Sequence, residues 1–244
     1  MKKSIYLLGI SLMVSATMLM TACSKDNTTS NEGGGDLNPS NEGGGDLNPE
    51  EWVDLGLPSG LLWANCNVGA QKPEGFGNYY AWGETSPKEE YSWGNYAYGS
   101  GPYELTKYCE QPLYGLYYYS DSLSTLEASD DAATVNLGEG ARTPTKEEWQ
   151  ELKSHTTRSW TTLNGVYGCL LTASNGNSIF LPAAGSREES SYYGGNYGGY
   201  WSSSVESYGP NNAWLFNVYT PRDEIDVKDR CIGLSVRAVR DRQN

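Results

Sequence analysis

The chain has 244 residues, 38% hydrophobic and 12% aromatic, with 17 basic against 30 acidic residues and a net charge of −13. That length suits one domain or two small ones, and the aromatic content is enough to build a packed core. An excess of acid this large argues against binding duplex nucleic acid or docking on anionic lipid, and a single histidine, His155, excludes multi-histidine metal sites and histidine relays.

Residues 1–22, MKKSIYLLGISLMVSATMLMTA, read as a secretory signal peptide. Lys2 and Lys3 form the positive start, and the apolar run that follows is too short and too broken by Ser and Thr for a membrane-spanning helix. LMTAC places Cys23 where a bacterial lipoprotein signal puts its lipidated cysteine, with Met20 at a position more often held by Leu. Cleavage there removes two lysines and takes the charge from −13 to −15. Several acyl chains on Cys23 would anchor the chain stably. Residues 23–51 are then a linker, in which SNEGGGDLNP at 30–39 repeats at 40–49. Gly-rich and acidic, it cannot bury apolar area, and coil scaling gives it a reach of about 30 Å.

One domain is expected over 52–244, of α+β class. EWVDLGL (51–57), GLLWANC (60–66), SIFLPAA (178–184) and NAWLFNVY (212–219) read as strands, and the alternating LSVRAV (234–239) as a last one. One helix is well marked. TKEE opening at Thr145 is a capping box with Glu148, and Trp149 and Leu152 follow three apart on one face. The rest is loop rich in Tyr, Ser, Asn and Gly, for which the eight tryptophans are the expected anchors. Beyond Cys23, Cys66, Cys109, Cys169 and Cys231 allow two disulfides in three connectivities, or four free thiols.

The densest aromatic stretch is 192–219, with nine aromatic side chains in 28 positions among Ser, Gly and Asn. Rigid amphipathic rings between adaptable hydrogen-bonding residues are the chemistry of an antibody paratope. The expected ligand-binding residues begin with Tyr192, Tyr193, Asn196, Tyr197 and Tyr200, and continue with Glu206, Tyr208, Asn211 and Asn212. Period two along 213–219 assigns Trp214, Phe216 and Val218 to the core, with Trp201, and turns Leu215, Asn217 and Tyr219 outward. In PRDEIDVKDR (221–230), Ile225 and Val227 point inward, leaving Arg222, Asp223, Asp226 and Lys228 as a rim. Cys231 and Ile232 complete the face. Core packing of the rings, and a plain solvated loop at 221–230, are the competing readings.

RTPTKEEWQEL (142–152) resembles the helix start of the formylglycine-generating-enzyme-like branch of the C-type-lectin-like fold, with Thr143 where Leu or Met is usual. WVDLGLPSGLLWANCNVGA (52–70), YYAWGET (79–85), DDAATVN (130–136), GNSIFLPAAG (176–185), GYWSSS (199–204) and GLSVRAV (233–239) occur in the order of the Bacteroidetes major paralogous domain, the Fibrobacter succinogenes type, and cover essentially all of 52–244. The resemblance implies a C-type-lectin-like domain of small antiparallel sheets, few helices and much ordered loop. It also implies an outer-membrane, cell-surface lipoprotein, and SKDN after Cys23 resembles the tag that sends such proteins outward. Some members resemble variable proteins of diversity-generating retroelements, whose rewritten side chains form a ligand-binding face. Residues 186–232 occupy the corresponding place.

No catalytic chemistry is expected. The enzyme branch uses a nearby cysteine pair in its C-terminal part, where this chain has only Cys231. The sugar-binding Glu-Pro-Asn and Trp-Asn-Asp motifs of C-type lectins are missing. Asp130 and Asp131 offer the hard oxygens of a structural Ca²⁺ site, although helix caps explain them equally, and no other cofactor is implied. The function expected is a surface-anchored lipoprotein binding an unknown protein or glycan, the alternative being a structural or tip subunit of a surface assembly.

Overall fold

The structure, a computed structural model, describes residues 52–138 and 140–242. The signal peptide, Cys23 and the repeat at 30–49 lie outside the described residues. In chain order the elements are β1 (Trp52–Asp54), β2 (Leu62–Asn67), α1 (Ala132–Leu137), β3 (Ala141–Arg142), α2 (Lys146–His155), β4 (Thr156–Leu163), β5 (Val166–Ala173), β6 (Ser178–Pro182), β7 (Ser186–Glu188), β8 (Ser191–Tyr193), β9 (Tyr197–Val205), β10 (Asn212–Tyr219), β11 (Asp223–Asp229) and β12 (Arg237–Arg240). A long loop carrying only short 3₁₀ turns joins β2 to α1.

The strands form small antiparallel sheets in the orders β1-β2-β12-β3, β11-β10-β9, β4-β5-β6 and β7-β8. With few helices beside them, the architecture is α+β. The helix expected at Thr145 is α2. The Thr145 hydroxyl accepts from the Glu148 N–H, and Glu148 accepts from the Thr145 N–H at 2.8 Å. Trp149 and Leu152 are fully buried. The β4–β5 hairpin, which the sequence reading did not anticipate, turns at Asn164-Gly165, both with positive φ.

Two cores lie on opposite sides of the same strands. One gathers Trp82, Tyr96, Tyr108, Trp201, Leu215 and Leu234, and the other Trp63, Trp149, Leu181, Tyr200, Phe216 and Val218. Neighbouring residues of one strand therefore enter different cores: Trp63 and Ala64 on β2, Tyr200 and Trp201 on β9, Leu215 and Phe216 on β10. In the second core Trp149 stacks on Phe216 and meets Trp63, each with ring centroids 4.9 Å apart.

Two fully buried arginines crosslink the chain inside the fold. Arg237 donates to Asn67 Oδ1 and to the carbonyls of Ala64, Asn65 and Phe180. Arg230 donates to the Tyr96 hydroxyl and to the carbonyls of Tyr108, Pro210 and Lys107. Its guanidinium lies over the rings of Trp82, Tyr96 and Tyr108 at 4.9–5.9 Å. Carbonyl dipoles and ring faces stand in for a carboxylate here.

Cys66, Cys109, Cys169 and Cys231 are free and buried. Burial raises all four thiols, Cys169 to about 11 and Cys231 to about 12. Cys169 and Cys231 sit in different cores.

Candidate binding face

β10 is the middle strand of its sheet, and its pairings decide which side chains share a face. Leu215, Asn217 and Tyr219 lie opposite Asp226, Glu224 and the turn at Arg222 on one side, and opposite Trp201, Gly199 and Tyr197 on the other. Side chains of directly paired residues project to the same face. Asn217, Tyr219, Tyr197, Glu224, Asp226 and Lys228 therefore stand together. At Gly199 an added Cβ would lie 3.0 Å from Leu234 Cδ2, so the first core reaches up to this strand.

The β7–β8 hairpin extends the face. The Ser186 hydroxyl bonds the Tyr197 hydroxyl at 2.6 Å, and Lys228 pairs with Glu188 at 2.7 Å. Tyr193 pairs with Ser186 and shares its side of the hairpin. At the opposite edge the Tyr219 hydroxyl donates to Glu224 at 2.6 Å, with Arg222 against it. Glu224 holding that proton keeps the phenol above its ordinary range. Asn217 Oδ1 is buried without a hydrogen-bond partner. The result is a surface of phenols, one amide and charges of both signs. Its side chains offer hydrogen-bond donors and acceptors, and no nucleophile and general base stand together among them.

Several expected residues are placed elsewhere. Leu215 is 2% exposed and Tyr200 is fully buried. Period two fails because both faces of this part of the sheet are covered: Leu215 enters the first core, while the Tyr200 hydroxyl reaches the Pro182 carbonyl at 2.5 Å beside Trp149. Cys231 and Ile232 are buried, because the chain turns inward after β11 and draws Arg230 among the aromatic rings. Asp223 faces the other way and pairs with Arg158 at 3.0 Å. Asn212 lies on that side too, in line with Trp214, which is half-buried rather than core and lies beneath Lys146 at 3.8 Å. Tyr192 turns to the reverse of its hairpin, against Phe76, Tyr79 and Arg187.

Glu206, Tyr208 and Asn211 belong to the β9–β10 turn, at the far end of the strands from Tyr219. Glu206 accepts from the Tyr208 and Gly209 N–H groups, and Asn211 donates to Asp229 at 3.2 Å. Tyr208 is exposed, as are Asn196, Arg222 and Asp226. Ser186, Glu188 and Glu224, absent from the expected set, complete the face. The alternation of 186–188 and the pairing of 224 with 217 are the signals that place them.

Asp130 and Asp131 are fully engaged by protein groups. Asp131 accepts from the N–H groups of Ala133, Thr134 and Thr143 and from the Thr143 hydroxyl. Asp130 accepts from Lys107 and from the Tyr108 hydroxyl, both at 2.6 Å. Among the described residues no group of His, Cys, Asp and Glu is arranged to hold a metal ion, and no helix is long and apolar enough to cross a membrane. His155 is the last residue of α2, its Nδ1 2.9 Å from the Glu151 carbonyl.

No family model, no curated protein and no solved structure matches the chain.

Proposed function

We propose that the chain is a lipoprotein anchored at the outer surface of a bacterial outer membrane, which binds a protein or glycan through the face around Asn217. The scaffold is a C-type-lectin-like domain of the formylglycine-generating-enzyme-like branch. Supporting this are the ordered sequence blocks from 52 to 239, the capped helix at Thr145 and the lipobox-like LMTAC. The observation that carries the reading is the grouping of Tyr193, Tyr197, Asn217, Tyr219 and Lys228 by strand register and by the Ser186 and Glu188 contacts. On this reading the face binds, and no chemistry is assigned to it. The buried thiols Cys169 and Cys231, held in separate cores, offer no paired site for oxidative chemistry.

The test is a variant carrying Tyr193→Ala, Asn217→Ala, Tyr219→Ala and Lys228→Ala, compared with the unaltered chain on an array of extracellular proteins and surface glycans. The unaltered chain captures at least one probe and the variant loses it at least about tenfold, the scale of one or two rim contacts. Equal capture by both proteins refutes the face. A second readout is genomic. A near-copy of the segment encoding 186–232, differing only at adenines and lying beside a reverse-transcriptase gene, marks the face as diversified.

A further inference from the structure

Apart from Tyr208, 84% exposed in the β9–β10 turn, the most exposed rings among the described residues lie outside the C-terminal face. They project from the loop between β2 and α1, where Tyr117 is 92% exposed, Tyr118 76%, Leu113 75% and Tyr103 64%. Tyr119 is also exposed, and Tyr103 stacks on Tyr114 with centroids 5.2 Å apart and planes 24° from parallel. Contiguous exposed apolar area on a soluble domain marks an interaction site more often than chance.

The backbone beneath these rings is firmly built. Leu105, fully buried, accepts from Leu116 and donates to the Tyr114 carbonyl, each at 2.9 Å. The chain turns so tightly at Gly115 that a Cβ there would come 1.8 Å from the Tyr119 carbonyl oxygen. The Asp121 carboxylate gathers the N–H groups of Tyr108, Cys109 and Leu123 and the Tyr119 hydroxyl. Below runs a series of edge-to-face rings, Trp93–Tyr96–Tyr98–Tyr108–Trp82, with centroids 5.0–5.9 Å apart. Tyr117 and Tyr118 both adopt the left-handed conformation, at φ +53° and +62°. For a bulky residue this costs free energy that a neutral surface turn has no need of. The loop thus presents its rings on a preorganised base, which removes much of the ordering cost of binding.

We infer that this tyrosine platform is a second recognition surface, separate from the face around Asn217, and that it takes a neutral polysaccharide. Three features select that partner. The ten residues 111–120, QPLYGLYYYS, which carry Tyr117 and Tyr118, hold no charge in a chain of net charge −13, with Glu104 beside Tyr103 at the margin, so this stretch suits a partner without charge. Every exposed ring is a tyrosine, which offers a flat apolar face for the C–H side of a sugar ring and a hydroxyl for its edge. The rings project and are not walled in, which suits a chain lying along the surface.

The experiment uses the mature chain, with affinity electrophoresis through gels holding a neutral β-glucan, xylan or mannan. At least one polysaccharide retards it, and raising salt to about 1 M leaves the retardation unchanged because no ion pair is screened. Tyr103→Ala, Tyr117→Ala and Tyr118→Ala together weaken retention at least about tenfold, while the Phe variants at these positions keep most of it. The same melting curve for all variants shows that the fold is intact. Tyr193→Ala with Tyr219→Ala leaves retention unaltered, which separates this surface from the other. The inference is overturned if none of the three polysaccharides retards the chain, or if the triple Ala variant is retained equally. It also fails if the platform residues instead mediate capture by zwitterionic vesicles, by another protein or by a second copy of the chain.

Discussion

The segment 192–219 and the segment 103–119 are both crowded with rings, yet they divide them differently between core and solvent. In the first, Tyr200, Trp201 and Phe216 are buried, because β9 and β10 run between two cores and both of their faces are covered. In the second, Tyr108 joins the first core while Tyr103, Tyr117 and Tyr118 stand in solvent on a backbone tied down by hydrogen bonds. Aromatic density shows that rings matter in a segment. Their destination depends on how many layers pack against it, which is a property of the fold.

The largest test of this contrast is thermodynamic. Phe216→Ala should lower stability by about 3–5 kcal/mol, the range for a truncated core aromatic, whereas Tyr117→Ala should change it by no more than about 0.5 kcal/mol. Denaturant unfolding measures both, and similar losses would erase the distinction between the two segments. Next in size is the base of the loop. Asp121→Ala should cost about 1–3 kcal/mol by orphaning buried N–H groups. Burial acts to raise the Asp121 and Asp130 carboxyls, but hydrogen bonds outweigh it, chiefly from Cys109 and Leu123 for the first and from Lys107 and Tyr108 for the second. Both therefore titrate below the usual Asp range. Their contribution is complete above the unfolded value of about 3.9 and is lost as pH falls through the lower folded values. Melting temperatures taken from about pH 6 to pH 2 should fall less steeply in Asp121→Asn and Asp130→Asn than in the parent. The smallest effect has the sharpest sign. Tyr117→Gly should gain roughly 0.5 kcal/mol, because relief of the left-handed conformation exceeds the entropy cost of glycine. Tyr193→Gly, in an ordinary strand, should lose about 0.5–1 kcal/mol. Matching signs by calorimetry would show that the loop carries no strain.

What could be read in advance follows from how local the cause is. The Thr145 cap and the spacing of Trp149 and Leu152 are contained within eight residues, and α2 follows from them. β10 spans the expected 212–219 because its apolar run is bounded by Asn and the Thr-Pro turn. The inward placement of Leu215 depends on Trp201 and Leu234 covering a face that period two assumes is wet. Asn164-Gly165 was a legible hairpin signal, a two-residue turn with both φ positive, and the Thr-rich strands around it concealed it. The contacts of Glu188 with Lys228 and of Ser186 with Tyr197 are long-range, and nothing near them in sequence announces them. For the tyrosine loop the signal was the uncharged QPLYGLYYYS itself.

The three-residue strand β1 lies at the edge of its sheet, and beside it the Asp54 carbonyl accepts the side-chain amides of Asn175 and Asn177 at 2.9 and 2.8 Å while its carboxylate meets Arg242. A mechanical load entering through the amino-terminal side of Trp52 therefore meets the β1–β2 pairing at Trp52 and then this clasp at Asp54. Behind β2 stands the Arg237 hub, so tension works against short-range fasteners and against the packing of Trp52 and Val53 on the two cores together.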